Sequence, residues 1–256
     1  MHDSLVTQWI DLLEAACAEV STQYLDLIID QAAGERPLIP VIKAVHPPLP
    51  WRSLFRGLPE ESAEELAPLL VRVDLQHPIQ RAWLQGLLNE AAGKPQVLAL
   101  ASTWSFDALA NYLGRCLEAR NGGQVGLLRY YDPRLLQLLI RDVLAPEQRR
   151  QLLRPAVFWS WPDHDSLPQR LLGLGEQEES AAEFELIELS DRQIDTLMCA
   201  SDATRVIAKL DAAVRVGRTA QQHFQLGYAA MREASAANLL TDEQRDALLR
   251  QRLAQA

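Results

Sequence analysis

Apolar residues recur along this chain with two different periods. Between about Ser4 and Ser21, the residues Leu5, Trp9, Leu12, Ala16 and Val20 return at helical spacing and predict one inward stripe. The segment Tyr24–Asp30, YLDLIID, is short, apolar and β-prone, and predicts a buried strand. The stretch 31–59 carries Pro47, Pro48 and Pro50 and reads as irregular and extended, with Trp51, Leu54 and Phe55 anchoring it to a core. Over 69–75 the period is two, with Val71, Val73 and Leu75 on one face and Arg72 and Asp74 on the other. A helix over 79–92 follows, with Ile79, Trp83 and Leu87 inward, then a strand over 96–101. Ser105 can cap a helix whose inward face is Phe106, Leu109, Leu113 and Leu117. Asn121, Gly122 and Gly123 mark a turn, after which 124–131 and 155–161 predict two more strands.

Strands alternating with helices of this length predict an α/β lobe, a mixed sheet flanked by helices, over residues 1–161. The pattern changes near Pro162. PDHDSLP reads as a linker, GEQEESAAE as an acidic loop and 184–189 as a short strand. Residues 168–256 form the second, smaller and mainly α-helical lobe of this reading. Ser190 with Gln193 and Thr241 with Gln244 make capping boxes, and Gly217 and Asn238 sit where helices should stop.

Composition narrows the function classes. The chain has 256 residues, 48% of them hydrophobic, enough for a large core. Its formal charge is −9, with 25 basic against 34 acidic side chains, which argues against a non-specific nucleic-acid binder. The basic run Arg149, Arg150 and Arg154 reads as a solvated helix face. Cys17, Cys116 and Cys199 are widely spaced, form no CxxC pair and read as small buried hydrophobes, reduced as in a cytoplasm. Asp3, Gln8, Asp11 and Glu14 interrupt any signal-peptide core, and no run approaches the roughly 20 apolar residues that span a bilayer. A cytoplasmic protein without membrane insertion is the expectation.

Chemistry-bearing patterns are sparse. The five histidines form neither HxxxH nor HExxH, and no nucleophile elbow, phosphate loop or dinucleotide fingerprint occurs, so nothing nominates a metal or a cofactor. Asp163-His164-Asp165 reads as a hydrophilic loop. Trp9 and Trp83 fall at inward helical positions. Trp51, Trp104, Trp159 and Trp161 fall at element ends or in loops, where they either anchor a protein partner or seal the edges of the sheet. Phe224, Tyr228 and Met231 form a stripe at i, i+4 and i+7 that either packs in the core or borders a groove for a partner helix.

The most informative segment is 126–139, GLLRYYDPRLLQLL. A strand ending at Tyr131 would place Asp132 to cap the following helix, with Pro133 at its first position and Leu135, Leu139 and Val143 inward. Arg129 and Arg134 bracket Asp132, so that one of them can grip its carboxylate with two hydrogen bonds. Two readings stand. In one, Arg129, Asp132 and Arg134 pin a strand-to-helix junction; in the other they form a reactive or anion-binding cluster of a small hydrolase or phosphotransferase.

The same segment carries a resemblance. Arg129, Tyr130, Tyr131, Asp132, Pro133 and Arg134 resemble the RFYDPR-type signature of the type VI secretion adaptor family, effector chaperones of the Tap or TEC type first catalogued as a bacterial domain of unknown function. Other pieces resemble the family in order: YLDLIID, WRSLF, APLLVRVDL, QVLALAS with WSFDALANYLGRCL, and LAPEQRRQLLRPAVFWSW. The resemblance covers about 24–161, with the C-terminal lobe matching only through FELIELSDRQIDTLMCASDATRVIAKL. It implies a cytoplasmic adaptor without catalytic residues, which binds a secreted effector and loads it onto the VgrG spike.

Overall fold

The computed structural model describes residues 2–34, 36–210 and 217–255. The chain divides into two compact units, one of Met1–Gln137 with Ala145–Glu188, the other of Leu138–Leu144 with Leu189–Ala256. The class is mixed α and β, with helices flanking a sheet and a helical C-terminal region.

The first unit begins with α1 (His2–Glu19), β1 (Tyr24–Asp30), α2 (Ile39–Lys43), β2 (Trp51–Ser53), β3 (Pro68–Asp74), α3 (Pro78–Glu90), β4 (Val97–Ala101) and α4 (Phe106–Arg115). It continues with β5 (Glu118–Asn121), β6 (Gln124–Leu127), α5 (Pro133–Leu138), α6 (Pro146–Leu153), β7 (Phe158–Pro162), β8 (Pro168–Leu172) and β9 (Ile187–Glu188). Six strands form one sheet in the order β2-β3-β1-β4-β7-β8, every neighbouring pair antiparallel. A small second sheet runs β6-β5-β9, with β5 and β9 parallel.

Alternation sorts the main sheet into two faces. Leu25, Leu27 and Ile29 of β1, with Val71 of β3 and Ala99 of β4, join a core that includes Val6, Trp9, Leu13 and Cys17 of α1 and Leu84 and Leu88 of α3. The indole N–H of Trp9 donates to Ser160 Oγ on the same face, 2.9 Å away. The other face carries Asp26, Arg72, Leu100 and Trp159, which lie in register across four strands. The α4 side covers it: Arg72 Nη2 donates to the Trp104 carbonyl, and the Trp104 and Tyr112 rings meet edge to face.

Several helix faces differ by a fraction of a turn from the periodicity. The buried stripe of α1 is Val6, Trp9, Ile10, Leu13, Ala16 and Cys17, with Leu5, Leu12 and Val20 half-buried at its margins. In α3 the predicted Ile79 is exposed and Trp83 half-buried, while Gln80, Leu84, Leu87 and Leu88 turn inward. Gln80 sets this phase, because its amide accepts from Asp74 N at 2.8 Å and donates to the Pro47 carbonyl at 3.3 Å. Two main-chain groups are thereby satisfied by a side chain that periodicity alone assigns to solvent.

The expected linker at 162–168 is instead the turn of the β7–β8 hairpin. Asp163 Oδ1 accepts from Asp165 N and Leu167 N, Oδ2 accepts from Gln169 Nε2, and Ser166 takes a positive φ of 62°. The residue types read as a linker are thus those of an Asx-type turn. The chain changes unit not there but around Leu138–Leu144 and again between Glu188 and Leu189.

The second unit holds α7 (Asp191–Ala208), α8 (Ala220–Ala236) and α9 (Asp242–Gln255), with a wide helical turn at Leu139–Val143. Ser190 with Gln193 and Thr241 with Gln244 exchange the reciprocal bonds of capping boxes, as does Thr219 with Gln222. A Cβ on Gly227 would stand 2.7 Å from Ile207 Cδ1, so this glycine lets α8 approach α7 closely.

Candidate functional site

The strand that leads into the motif is shorter than expected. β6 ends at Leu127, and Arg129–Asp132 is a turn in which Asp132 N donates to the Arg129 carbonyl at 3.1 Å. The tyrosines explain why. Tyr130 is fully buried, its hydroxyl donates to the Leu113 carbonyl at 2.9 Å, and its ring stands edge-on to Trp159 and Tyr131. A continued strand would send Tyr130 and Tyr131 to opposite faces, whereas the turn buries both.

The charged groups form two ion pairs. Asp132 Oδ1 accepts from the Arg134 main-chain N–H and from Nε, each at 3.0 Å, while Oδ2 accepts from Nη2 at 2.7 Å. This is the two-pronged grip expected of one flanking arginine, and Arg134 supplies it. The Asp132 carbonyl accepts from Leu135 N and Leu136 N, so Asp132 opens α5 with Pro133 at its first position, as the sequence predicts. The inward residues are Leu136, Leu139 and Val143, with Leu135 half-buried. Arg129 takes a different partner: its Nη2 donates to Asp30 Oδ2 at the end of β1, 2.8 Å away, and its guanidinium lies 5.6 Å from the Tyr131 ring centroid.

Both carboxylates are buried and both guanidiniums are half-exposed. The Asp132 hydrogen bonds raise the Arg134 pKa above its ordinary value. At Arg129 burial opposes the charge, but Tyr131, Asp30 and Asp132 outweigh it, so its pKa is raised as well. Burial pushes the phenols of Tyr130 and Tyr131 up, which keeps them neutral. A hydrolase or phosphotransferase reading places Arg129, Asp132 and Arg134 at one centre. The hydrogen bonds form two clamps, one tying the end of β1 to the turn and one tying the turn to α5, and the charges of the two clamps act on one another. Asp132→Ala removes both the cap and the ion pair, and is expected to destabilise the chain by about 2 kcal/mol, a cap plus part of a half-exposed pair. Denaturant unfolding measures this, and unchanged stability with lost partner binding would make Asp132 a contact residue instead.

The aromatic candidates separate. Trp104, Trp159 and Trp161 are buried, so they fill the core and offer no free surface. Trp159 and Trp161 sit on β7, which lies between β4 and β8, and Trp104 donates its indole N–H to the Glu176 carbonyl at 2.7 Å. Trp51 alone of these four remains half-buried, with Lys43 Nζ 5.4 Å from its ring centroid. Phe224, Tyr228 and Met231 are also buried, in α8, which packs against both α7 and α9.

Two polar networks lay beyond sequence reasoning. Asp26 and Arg72 make a buried two-pronged pair across β1 and β3. Arg154, read as part of a solvated face, is buried and binds Glu176, Glu183 and the Ser180 carbonyl, while Glu176 also binds Arg150. The acidic stretch is therefore the counter-charge to the basic run. All three cysteines are buried, and burial raises their thiols, those of Cys17 and Cys116 to about 12, so neither of these two is a thiolate near neutral pH. Among the described residues no group of three or more His, Cys, Asp and Glu is placed to hold a metal ion, and no helix is long and apolar enough to cross a membrane.

Residues 27–151, just under half of the chain, match the family described as "Domain of unknown function (DUF4123)". The match runs from within β1 through most of α6, and so takes in both ion-pair clamps of the motif. Comparisons with curated proteins and with solved structures return no match.

Proposed function

We propose that this protein is a cytoplasmic adaptor that binds a type VI secretion effector and loads it onto the VgrG spike. The observation that carries the reading is the family match over 27–151, which encloses the RYYDPRLL segment and overlaps the ordered pieces that resemble the effector chaperones, the first and last of which run beyond it. The roles of the motif residues agree with it. Arg129, Asp132 and Arg134 are engaged in holding the fold, as suits a scaffold whose work is done by its surface.

The test is reconstitution in the native host. Tagged full-length protein should co-purify with the effector encoded beside its gene and with VgrG. Deleting the gene should abolish secretion of that effector while leaving the secretion apparatus active, and a plasmid copy should restore it. Secretion that continues at the parental level without the protein overturns the reading.

A further inference from the structure

The main sheet ends on β2, and that edge is open. Arg72 N donates to the Pro50 carbonyl and Leu54 N to the Pro68 carbonyl, so residues 50, 52 and 54 direct their main-chain groups to β3. Trp51 and Ser53 lie between them and turn theirs to the side where the sheet has no further strand; of these the Ser53 carbonyl already accepts from Arg56 N at 3.4 Å, which leaves the Trp51 groups and the Ser53 N–H at the edge. Beside this edge is a cavity of about 280 Å³, lined by Trp51, Arg52, Ser53, Arg56, Glu61 and Glu64. Its far wall is the pair of short helical turns Pro59–Ser62 and Glu64–Leu66. That wall is fastened in place: Gln31 Nε2 donates to the Glu64 and Ala67 carbonyls at 2.8 and 3.0 Å, and Gly57 N donates to Glu61 Oε2 at 3.2 Å.

Charge selects the occupant. The wall sequence PEESAEEL carries Glu60, Glu61, Glu64 and Glu65 and no base. Arg52 does little to offset them, because its guanidinium is engaged by Asp107 and by Asn111 Oδ1 on α4. Arg56, the other cation of the lining, is exposed and is outnumbered by the four wall carboxylates. An open strand edge supplies main-chain pairing, and the facing carboxylates favour a positive side chain over a negative one.

We propose that this groove takes an extended, lysine- or arginine-bearing segment of a partner protein. The segment adds to β2 as a strand, its main chain on Trp51 and Ser53 and its basic side chain against Glu61 and Glu64. The inference rests on the edge and its charge, and holds whether or not the partner is a secreted effector.

The test titrates the full-length chain with a fluorescent peptide of alternating valine and lysine, against the same peptide with glutamate replacing lysine. The lysine peptide is expected to bind about tenfold or more tightly than the glutamate peptide. Glu61→Lys with Glu64→Lys, both exposed positions, should reverse that preference, and Glu64→Lys alone, which keeps the Glu61 bond to Gly57 N, should narrow it at unchanged melting temperature. Ser53→Pro removes an outward N–H that β3 does not use and should weaken the lysine peptide. It also removes the hydroxyl that accepts from Phe55 N, so if its melting falls the charge-reversal variant decides. No binding of the lysine peptide, equal binding of the two peptides, or lysine-peptide binding unchanged by charge reversal overturns the proposal.

Discussion

Arg72→Met should destabilise the α/β unit by about 3–5 kcal/mol, because it leaves the Asp26 carboxylate buried without a counter-charge. Asp26 has no exposed surface and lies on the central strand β1. Its two oxygens accept from Arg72 Nε and Nη2, each at 2.8 Å, and these are bonds that methionine cannot supply. Burial raises the Asp26 pKa above 3.8, and the Arg72 hydrogen bonds and charge act in the opposite direction. A raised carboxyl pKa means that the folded chain holds this proton more tightly than the unfolded chain. The associated stability is fully present below 3.8 and is lost as the pH rises through the folded-state value. Without Arg72 the folded value rises further, so the deficit of the variant should grow from acidic to neutral pH. Urea unfolding across that range measures it. The double variant Asp26→Leu with Arg72→Met should recover most of the loss, since an apolar pair replaces both charges. A deficit independent of pH would show that Arg72 acts through packing on Tyr24 and Phe106, whose ring centroids lie 5.8 and 5.7 Å from its guanidinium.

Trp159→Ala is expected to lower stability by about 3–5 kcal/mol, the range for emptying a large aromatic site in a core. Trp159 is fully buried on an inner strand, and Tyr130 of the motif packs edge-on against it at 6.4 Å between centroids. The cavity would therefore open beneath the RYYDPR turn. Trp159→Phe should lose only about 1 kcal/mol, because it keeps most of the volume and the indole N–H donates to no described residue. Partner binding should then follow folding: retained in the phenylalanine variant and lost in the alanine variant only where the chain unfolds. An alanine variant that melts with the parent but no longer binds a partner would make Trp159 a contact after all.

Much of the fold was legible because its signals are local. The run YLDLIID is β1 over the residues predicted, since a nearly continuous apolar stretch suits a central strand covered on both faces. Ser105, Ser190 and Thr241 cap helices where their spacing says they should. Asp132 and Pro133 open a helix for the same reason, since the side chain and the main chain it satisfies are neighbours in sequence. At the motif, the sequence limited the possibilities to an arginine gripping Asp132 without deciding between Arg129 and Arg134. Arg134 wins because its own main-chain N–H and its side chain reach the same carboxylate.

What the sequence could not carry depends on distant residues. The Arg129 partner is Asp30, at the far end of a strand separated from it by most of the sheet-forming chain. Arg154 looks solvated beside Arg149 and Arg150 until the acidic stretch folds back to meet it. The polar segment after Trp161 reads as a linker, yet it is a hairpin turn, because Asp163 has three donors within six residues and β8 has β7 to pair with. With it, β7, which carries Trp159 and Trp161, is an inner strand. Local hydrogen bonding and periodicity thus determined which elements form and where they start. Only the tertiary structure decided which charges meet and which aromatic residues remain at the surface, because both depend on strand order, a property of contacts between segments far apart in sequence.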